Sequence, residues 1–208
     1  FFGACTGRNT TSGERNIFIG DRAGCDGTSA SRNVALGYLA GAKLTTGSEN
    51  TLIGFVAGCK VCSGNANNMM GFGAGRMVTT GSCNVFIGQY AGHYTTTASH
   101  NIAIGNCAGK HFCASGCNIA IGNEAGCNAT PDGGGIFIGF RAGRGAGGAK
   151  HDGFHNIRAS FMEIWNATIT NNTRHGIRTG HLSYTYENGN TLSGTSAGYV
   201  TDSTGYVE

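Results

Sequence analysis

Nine cysteines are the most reactive side chains in this chain of 208 residues. Cys5 and Cys25 are 20 residues apart, and so are Cys107 and Cys127. A disulfide needs two Cα atoms within about 7 Å, so two pairs with equal spacing in a regular structure predict two equivalent disulfides. The same spacing fits pairing within one chain and pairing between chains of an oligomer. So many cysteines indicate an oxidising compartment, and their odd number leaves one free or paired with another chain.

Metal binding and catalysis find less support in the sequence. Histidines and cysteines gather between residues 93 and 117, but no zinc-finger ligand spacing is present and the calcium-binding Gly-Gly-x-Gly-x-Asp nonapeptide is missing. We therefore expect no metal and no cofactor. A glycan-cleaving enzyme needs paired carboxylates, and away from surface positions no two of the 11 acidic residues match in adjacent repeats. The sequence predicts a protein that is not an enzyme.

Charge and hydropathy exclude further classes. Only 12% of residues are charged and the formal net charge is +3, spread thinly along the chain; with no basic stripe, we expect no nucleic-acid partner. No apolar run of about 18 residues is present, so the chain is not expected to span a membrane. Asn9, Asn166 and Asn171 each begin an N-glycosylation acceptor sequence, which is relevant only in a eukaryotic secretory pathway or for a virus of such a host.

Most of these residues belong to a 17-residue repeat, whose clearest copy begins at Asn118. A copy has Asn at position one, three mostly apolar residues, Gly at position five, and Ala-Gly at positions eight and nine. The register does not slip between Phe1 and His151. Self-similarity at a fixed period is typical of a solenoid, in which each repeat makes one coil and stacks on the next.

The glycines decide which kind of solenoid this is. Two in every coil would each cost about 1 kcal/mol in a helix interior, whereas short β-segments that end at glycines fit the pattern. The sequence predicts an all-β fold, a parallel β-solenoid (β-roll) of about nine coils over residues 1–151. With coils about 4.8 Å apart, the rod is about 40 Å long. The asparagines of position one are expected to hydrogen-bond along the rod.

Positions three and four of each repeat are both apolar. Neighbouring strand residues point to opposite faces, so both faces are expected to be buried. We assign position four to the core of the coil and position three to an oligomer face, most simply a trimer around a shared axis; a loop or the C-terminal segment covering that face is the alternative. The core column is Ile19, Leu36, Ile53, Met70, Ile87, Ile104, Ile121 and Ile138, and the oligomer face is Phe18, Leu52, Met69, Phe86 and Phe137.

The period ends at His151, and residues 152–208 have a different pattern. The β-forming residues between Ala159 and Thr170, and the alternation of Leu182, Tyr184 and Tyr186 before Asn188-Gly189, predict strands and a hairpin. This segment is expected to be a small β-rich cap or association module. A partly extended tail ordered by neighbouring chains is the alternative.

The repeat resembles the Asn-Thr-Phe-Ile-Gly-x-x-Ala-Gly-x-x-x-Thr-Thr-Gly units found in fibre proteins of phages and large viruses and in bacterial surface proteins. Its second half is present as Thr45-Thr46-Gly47 and Thr79-Thr80-Gly81. More distantly, it is similar to the Val-Ala-Ile-Gly repeats in the β-roll heads of trimeric autotransporter adhesins. The resemblance covers residues 1–143 and implies a trimeric fibre or adhesive stalk.

The sequence thus predicts a structural subunit of an extracellular fibre at a cell or virion surface. An oligomeric β-solenoid shaft would support attachment to a glycan or a cell-surface receptor. A self-polymerising filament subunit that stacks end to end through uncapped coils is the alternative. One observation that favours this alternative is that the chain begins inside a repeat. A glycan-cleaving tailspike and an ice-binding solenoid are minor alternatives; doublets such as Thr79-Thr80 point to opposite sides, unlike a flat ice-binding face.

Overall fold

The repeats build one parallel sheet. The computed structural model describes residues 2–113, 116–129 and 133–144, together with strands between residues 154 and 207, and these parts contain no helix. Eight three-residue strands, one per repeat, pair in chain order. They are β1 (Ile17–Ile19), β2 (Val34–Leu36), β3 (Thr51–Ile53), β4 (Asn68–Met70), β5 (Val85–Ile87), β6 (Ile102–Ile104), β7 (Ile119–Ile121) and β8 (Ile136–Ile138). The predicted all-β solenoid is confirmed.

The strands pair without any shift in register. Phe18 is the partner of Ala35, which is the partner of Leu52, so equivalent positions form straight columns along the axis. Phe2 adds one parallel bridge to Ile19. The sheet therefore has eight strands instead of about nine, because the first repeat contributes only this bridge.

A chain of tight turns follows each strand. Backbone hydrogen bonds from position eight to five, ten to seven and twelve to nine form overlapping β-turns, as in Ala91 N to Gly88 O at 3.3 Å. Gly88 has a φ of 126°, and a Cβ there would lie 2.5 Å from the Gly105 carbonyl oxygen of the next coil. Position five therefore needs glycine, both for its backbone conformation and for the close stacking of coils.

A ladder of buried asparagines runs through the solenoid at position one. The Asn67 side chain donates from Nδ2 to Asn50 Oδ1 at 2.9 Å and to Gly81 O at 2.9 Å. Its own Oδ1 accepts hydrogen bonds from the backbone N and the Nδ2 of Asn84, at 3.1 and 3.0 Å. The expected hydrogen bonding along the rod is confirmed, and it satisfies polar groups that would be costly to bury alone.

The core lies on the other side of the strand from the one the sequence analysis assigned to it. Position three points inward: Phe18, Leu52, Met69 and Phe86 are at most 1% exposed and Phe137 is partly buried. The predicted oligomer face is therefore the core. The space comes from Gly at position nine, where a Cβ on Gly92 would lie 2.5 Å from the Phe86 ring.

The predicted core column, position four, points outward. Most of its side chains are between 36% and 60% exposed, and Ile53 is half-buried. The assignment was wrong because Ala at position eight, Gly at position nine and the side chain at position twelve surround position three and fill the interior. The residues concerned are Ile19, Leu36, Ile53, Met70, Ile87, Ile104, Ile121 and Ile138.

The C-terminal segment is also a parallel β-structure. Its strands form three sheets, in the orders β10-β13-β16, β11-β14 and β15-β12-β9, and partners are offset by 22 or 23 residues. This is a second repeat, with three strands to a coil. The strands are β9 (Phe154–Ile157), β10 (Phe161–Trp165), β11 (Thr168–Thr170), β12 (His175–Gly180), β13 (Tyr184–Asn188), β14 (Thr191–Ser193), β15 (Ala197–Thr201) and β16 (Tyr206–Val207).

The predicted hairpin at Asn188-Gly189 is wrong. Strand β13 pairs with β10 and β16, and β14 pairs with β11, all in parallel. The alternation of Tyr184 and Tyr186 comes from a strand that is paired with its equivalents one coil away rather than with its neighbour in the chain. A β-rich module after the first solenoid is nevertheless what the sequence predicted.

Candidate functional site

The most prominent surface feature is the outward face of the eight-stranded sheet. We call positions two and four of strands β1–β8 the outer face. Position two contributes Ile17, Val34, Thr51, Asn68, Val85, Ile102, Ile119 and Ile136. Together with position four, this gives two adjacent columns of mainly branched apolar side chains, each half-buried or exposed.

The outer face carries no charge. None of its sixteen residues is Asp, Glu, Lys or Arg, and fourteen of them are Ile, Val, Leu or Met. The eight strands, about 4.8 Å apart, make it about 34 Å long. Soluble monomers rarely expose continuous apolar patches of this extent, and such patches mark interaction surfaces.

Aromatic rings extend this face at position six. Tyr38 stacks on Phe55 with ring centroids 5.1 Å apart, and Phe55 stacks on Phe72 at 5.2 Å. Tyr90 then meets Phe72 edge-on at 5.2 Å. The straight columns of the solenoid position these rings, and because the rings cover each other's faces, mainly their edges remain open.

Burial makes two of the cysteines, Cys25 and Cys127, weaker nucleophiles than an ordinary thiol. All nine cysteines are free thiols in the single chain, so the predicted disulfides Cys5–Cys25 and Cys107–Cys127 are not formed within it, although Cys5 and Cys25 line the same shallow cavity. Burial and the neighbouring Asp26 carboxylate raise the pKa of the Cys25 thiol. Burial and the nearby Cys107 likewise raise the pKa of Cys127. A protonated thiol is a weak nucleophile, so neither residue is suited to nucleophilic catalysis.

His93 is a buried histidine in the turns of the fifth full coil. Burial, helped by the cations of Arg76 and Lys110, lowers its pKa to about 4. Its Nδ1 has no hydrogen-bond partner in the described part of the chain, and its ring packs edge-on against Tyr90 and Tyr94. Among the described residues, no three His, Cys, Asp or Glu side chains are placed to hold a metal ion.

Ion pairs link neighbouring coils on the surface. Lys43 Nζ lies 2.6 Å from Asp26 Oδ2, and its hydrogen bond lowers the pKa of that carboxyl. A glycosidase acid needs the opposite shift, a raised pKa.

Asn9, one of the three asparagines in N-glycosylation sequences, is exposed and donates a hydrogen bond to Asp26 Oδ1 at 3.3 Å. The other two, Asn166 and Asn171, lie outside the described residues.

Comparison with family models, with curated proteins and with solved structures gives no match for this chain. Within the described residues there is also no helix with the length and hydrophobicity needed to cross a membrane.

Sequence reasoning missed two features of this surface. The aromatic column at position six is visible in the sequence as Tyr38, Phe55 and Phe72, each one period from the next. The exposed cations at positions seven, ten and eleven also fall on one side of the coil, so the expectation that the chain has no basic stripe is wrong for the solenoid. Alignment of every position of the repeat, rather than only the apolar ones, would have revealed both.

Proposed function

We propose that this chain is a structural subunit of an extracellular fibre, in which β-solenoids associate side by side through the outer face. The main support for this proposal is the charge-free apolar surface that two columns of side chains form over eight strands. A specific interface buries about 800 Å² on each partner, and the outer face supplies a long, regular strip for such contact.

The face favours partners that are copies of this chain. Its side chains repeat at the strand spacing, so a second solenoid with its axis parallel offers the same spacing and the same chemistry. Each chain has one such strip, and three strips that meet around a common axis form a closed trimer. In the described part of the chain, position four of the outer face stays between 36% and 60% exposed apart from the half-buried Ile53, so this face is open to a partner.

The interior suits a mechanical role. Each rung adds backbone hydrogen bonds on both sides of the coil, for example Val85 N to Asn101 O at 2.8 Å and Gly92 N to Ala108 O at 3.0 Å. The asparagine ladder adds buried side-chain hydrogen bonds between every pair of coils from Asn16 to Asn118. Force along such a rod is shared by many parallel bonds. A shaft that holds an attachment site at a cell or virion surface fits this construction, and no catalytic role is proposed.

A filament that grows end to end is the second candidate. Among the described residues, strand β8 pairs with β7 alone, and Ile136 and Ile138 beside this edge are each 60% exposed. An open sheet edge can add a further strand. An ice-binding role is less suited, because threonine hydroxyls such as that of Thr79 donate to the next coil, here to Thr96 O at 3.2 Å.

Electron microscopy of the purified native protein tests the proposal. We expect short rods of uniform length whose averaged cross-section has three-fold symmetry. Long polymers with a regular axial repeat would replace the shaft by the filament. Single chains under both oxidising and reducing conditions would overturn both candidates, because the outer face would then be stable in water without a partner.

A further inference from the structure

A row of cations runs along the turns of the first coils. Arg8, Arg22, Lys43, Lys60 and Arg76 stand at positions seven, ten or eleven, one in each of five successive coils, and all are exposed. We call these five residues the basic ridge. Hydrogen bonds between coils hold its backbone in place, as in Arg22 N to Ala4 O at 2.8 Å. Successive cations therefore follow the strand spacing of about 4.8 Å along the axis.

The basic ridge is only partly neutralised. Lys43 pairs with Asp26, whereas the other four cations form no salt bridge among the described residues. Asp21 is the other carboxylate at positions six to eleven of these coils. The opposite edge, at positions sixteen and seventeen, balances its charge. There Arg15 and Arg32 stand beside two carboxylates, Glu14 and Glu49.

Three members of the ridge converge on one hollow. Arg8, Arg22 and Lys43 line a shallow cavity of about 280 Å³ together with Cys5, Cys25, Asp26, Leu39 and Ala42. Asp26 is the one carboxylate in this lining and is paired with Lys43, so Arg8 and Arg22 are the two cations that a ligand would meet. A guanidinium group recognises carboxylate, sulfate or phosphate groups through two parallel hydrogen bonds. The hollow is therefore suited to one anionic group of a ligand whose other charges reach Lys60 and Arg76.

The neighbouring rings favour a polyanion recognised by its charges rather than by stacking. Proteins that bind single-stranded nucleic acid offer open aromatic faces to the bases. Here Tyr38, Phe55 and Phe72 cover one another, with centroids 5.1 and 5.2 Å apart. Their exposed edges carry the positive part of the ring quadrupole, which suits acidic groups and gives bases no platform.

We propose that the basic ridge is a binding site for an acidic polysaccharide, whose chain lies along the solenoid axis and places sulfate or carboxylate groups on the row of cations. The choice of a glycan rests on the proposed role as an attachment fibre, whereas the location of the site rests on the ridge alone. The ridge and the outer face occupy different columns of the coil, so assembly and glycan binding use separate surfaces.

Binding of a defined heparin octasaccharide, measured by isothermal titration calorimetry at several salt concentrations, tests this inference. The variant Arg8→Gln/Arg22→Gln removes two charges at the hollow. The control Arg15→Gln/Arg32→Gln removes two charges from the opposite edge of the same coils. We expect at least about tenfold weaker binding for the ridge variant, since two charge-assisted hydrogen bonds are lost, and less than a twofold change for the control.

Three results would overturn the inference. Equal losses in the two variants would mean that net charge alone attracts the glycan. Single-stranded DNA of equal charge could bind the native protein as tightly as the octasaccharide. If the ridge variant loses this binding and the control variant keeps it, the ridge is a nucleic-acid site. No binding to the native oligomer would remove the site and leave the fibre proposal intact. A single-chain mass with ridge-dependent binding would instead remove the fibre proposal and leave the site.

Discussion

The inner and outer sides of the same three-residue strands differ more in burial than their similar apolar composition suggests. In β5, Phe86 is fully buried while its neighbour Ile87 is 37% exposed. Both are apolar and both recur in columns, so hydrophobicity does not distinguish them. What differs is the opposite wall of the coil, where Gly92 leaves room for a ring behind position three. The residues on the opposite wall of the coil therefore decide which side chains are buried, and the strand's own sequence does not.

Position twelve shows the same complementarity in reverse. Where position three is small, as at Ala35 and Ala103, the interior is filled from position twelve by Leu44 and Phe112. Where position three is Phe18, position twelve is a glycine. The coils thus keep the interior filled with different residues, as close packing in protein cores requires. The outer face has no such compensation within the chain.

The largest effect is expected from truncation on the inner side. Phe86→Ala should lower the free energy of unfolding by about 3–5 kcal/mol, because the ring leaves a cavity that neighbouring coils cannot close. Ile87→Ala should cost only about 1 kcal/mol, from lost strand propensity and partial burial. Chemical denaturation, at concentrations below those at which chains associate, measures both. Equal losses would contradict the assignment of inside and outside.

The asparagine ladder should contribute the next largest effect. Asn67→Ala removes one rung and leaves the buried Asn84 backbone N and Gly81 carbonyl oxygen without these hydrogen bonds, at about 1–3 kcal/mol for each unsatisfied group. Asn50 Oδ1 keeps the hydrogen bond from the backbone N of residue 67. We expect a total loss of about 2–4 kcal/mol in unfolding free energy, less than the separate costs would add up to because the coils relax. Asn65→Ala, at an exposed position two residues away, is the matched control and should change stability by less than about 1 kcal/mol.

Acid should weaken the turn region through His93. Its pKa in the folded state is about 4, against about 6.5 in an unfolded chain. Between these values the unfolded chain binds more protons, so stability is lost as the pH falls from 6.5 to 4, by up to about 3 kcal/mol. Relative to its own stability at pH 7, His93→Gln should lose less unfolding free energy in acid than the native protein. His111→Gln should lose as much as the native protein. Unfolding curves at pH 7 and pH 4.5 measure the difference, and an unchanged pH dependence in His93→Gln would contradict the buried, neutral ring.

The smallest effect is expected at the surface ion pairs. Arg32 and Glu49 lie 2.9 Å apart, but both side chains are more than half exposed. Arg32→Gln should change the free energy of unfolding by less than about 1 kcal/mol. A loss comparable with that of Asn67→Ala would mean that ladders on the surface hold the coils together as strongly as the buried one.

Much of the first solenoid was predictable because its sequence repeats without slips. Asn33 and Asn50 mark one period, and the same period sets the strand register and the asparagine ladder. Hydrophobicity could not predict which side of the strand faces the interior, since Phe18 and Ile19 are both apolar. Only the side-chain volume at positions nine and twelve distinguishes the two sides. In the C-terminal segment, Phe154, Ile177 and Tyr199 are aligned across three strands. Too few similar residues recur at that spacing to reveal a period.

The central claim is that position three is the core and the outer face is where chains associate. Its most direct test is the mass in solution, by multi-angle light scattering, of the native chain and two triple variants. Ile53→Lys/Ile87→Lys/Ile104→Lys places charges on the outer face, and Thr46→Lys/Thr80→Lys/Thr97→Lys places equal charges at exposed positions elsewhere on the coil. We predict three times the chain mass of 21.3 kDa for the native protein and the threonine variant, and a single folded chain for the isoleucine variant. An isoleucine variant that unfolds would put position four in the core, and one that keeps the native mass would show that chains do not associate through the outer face.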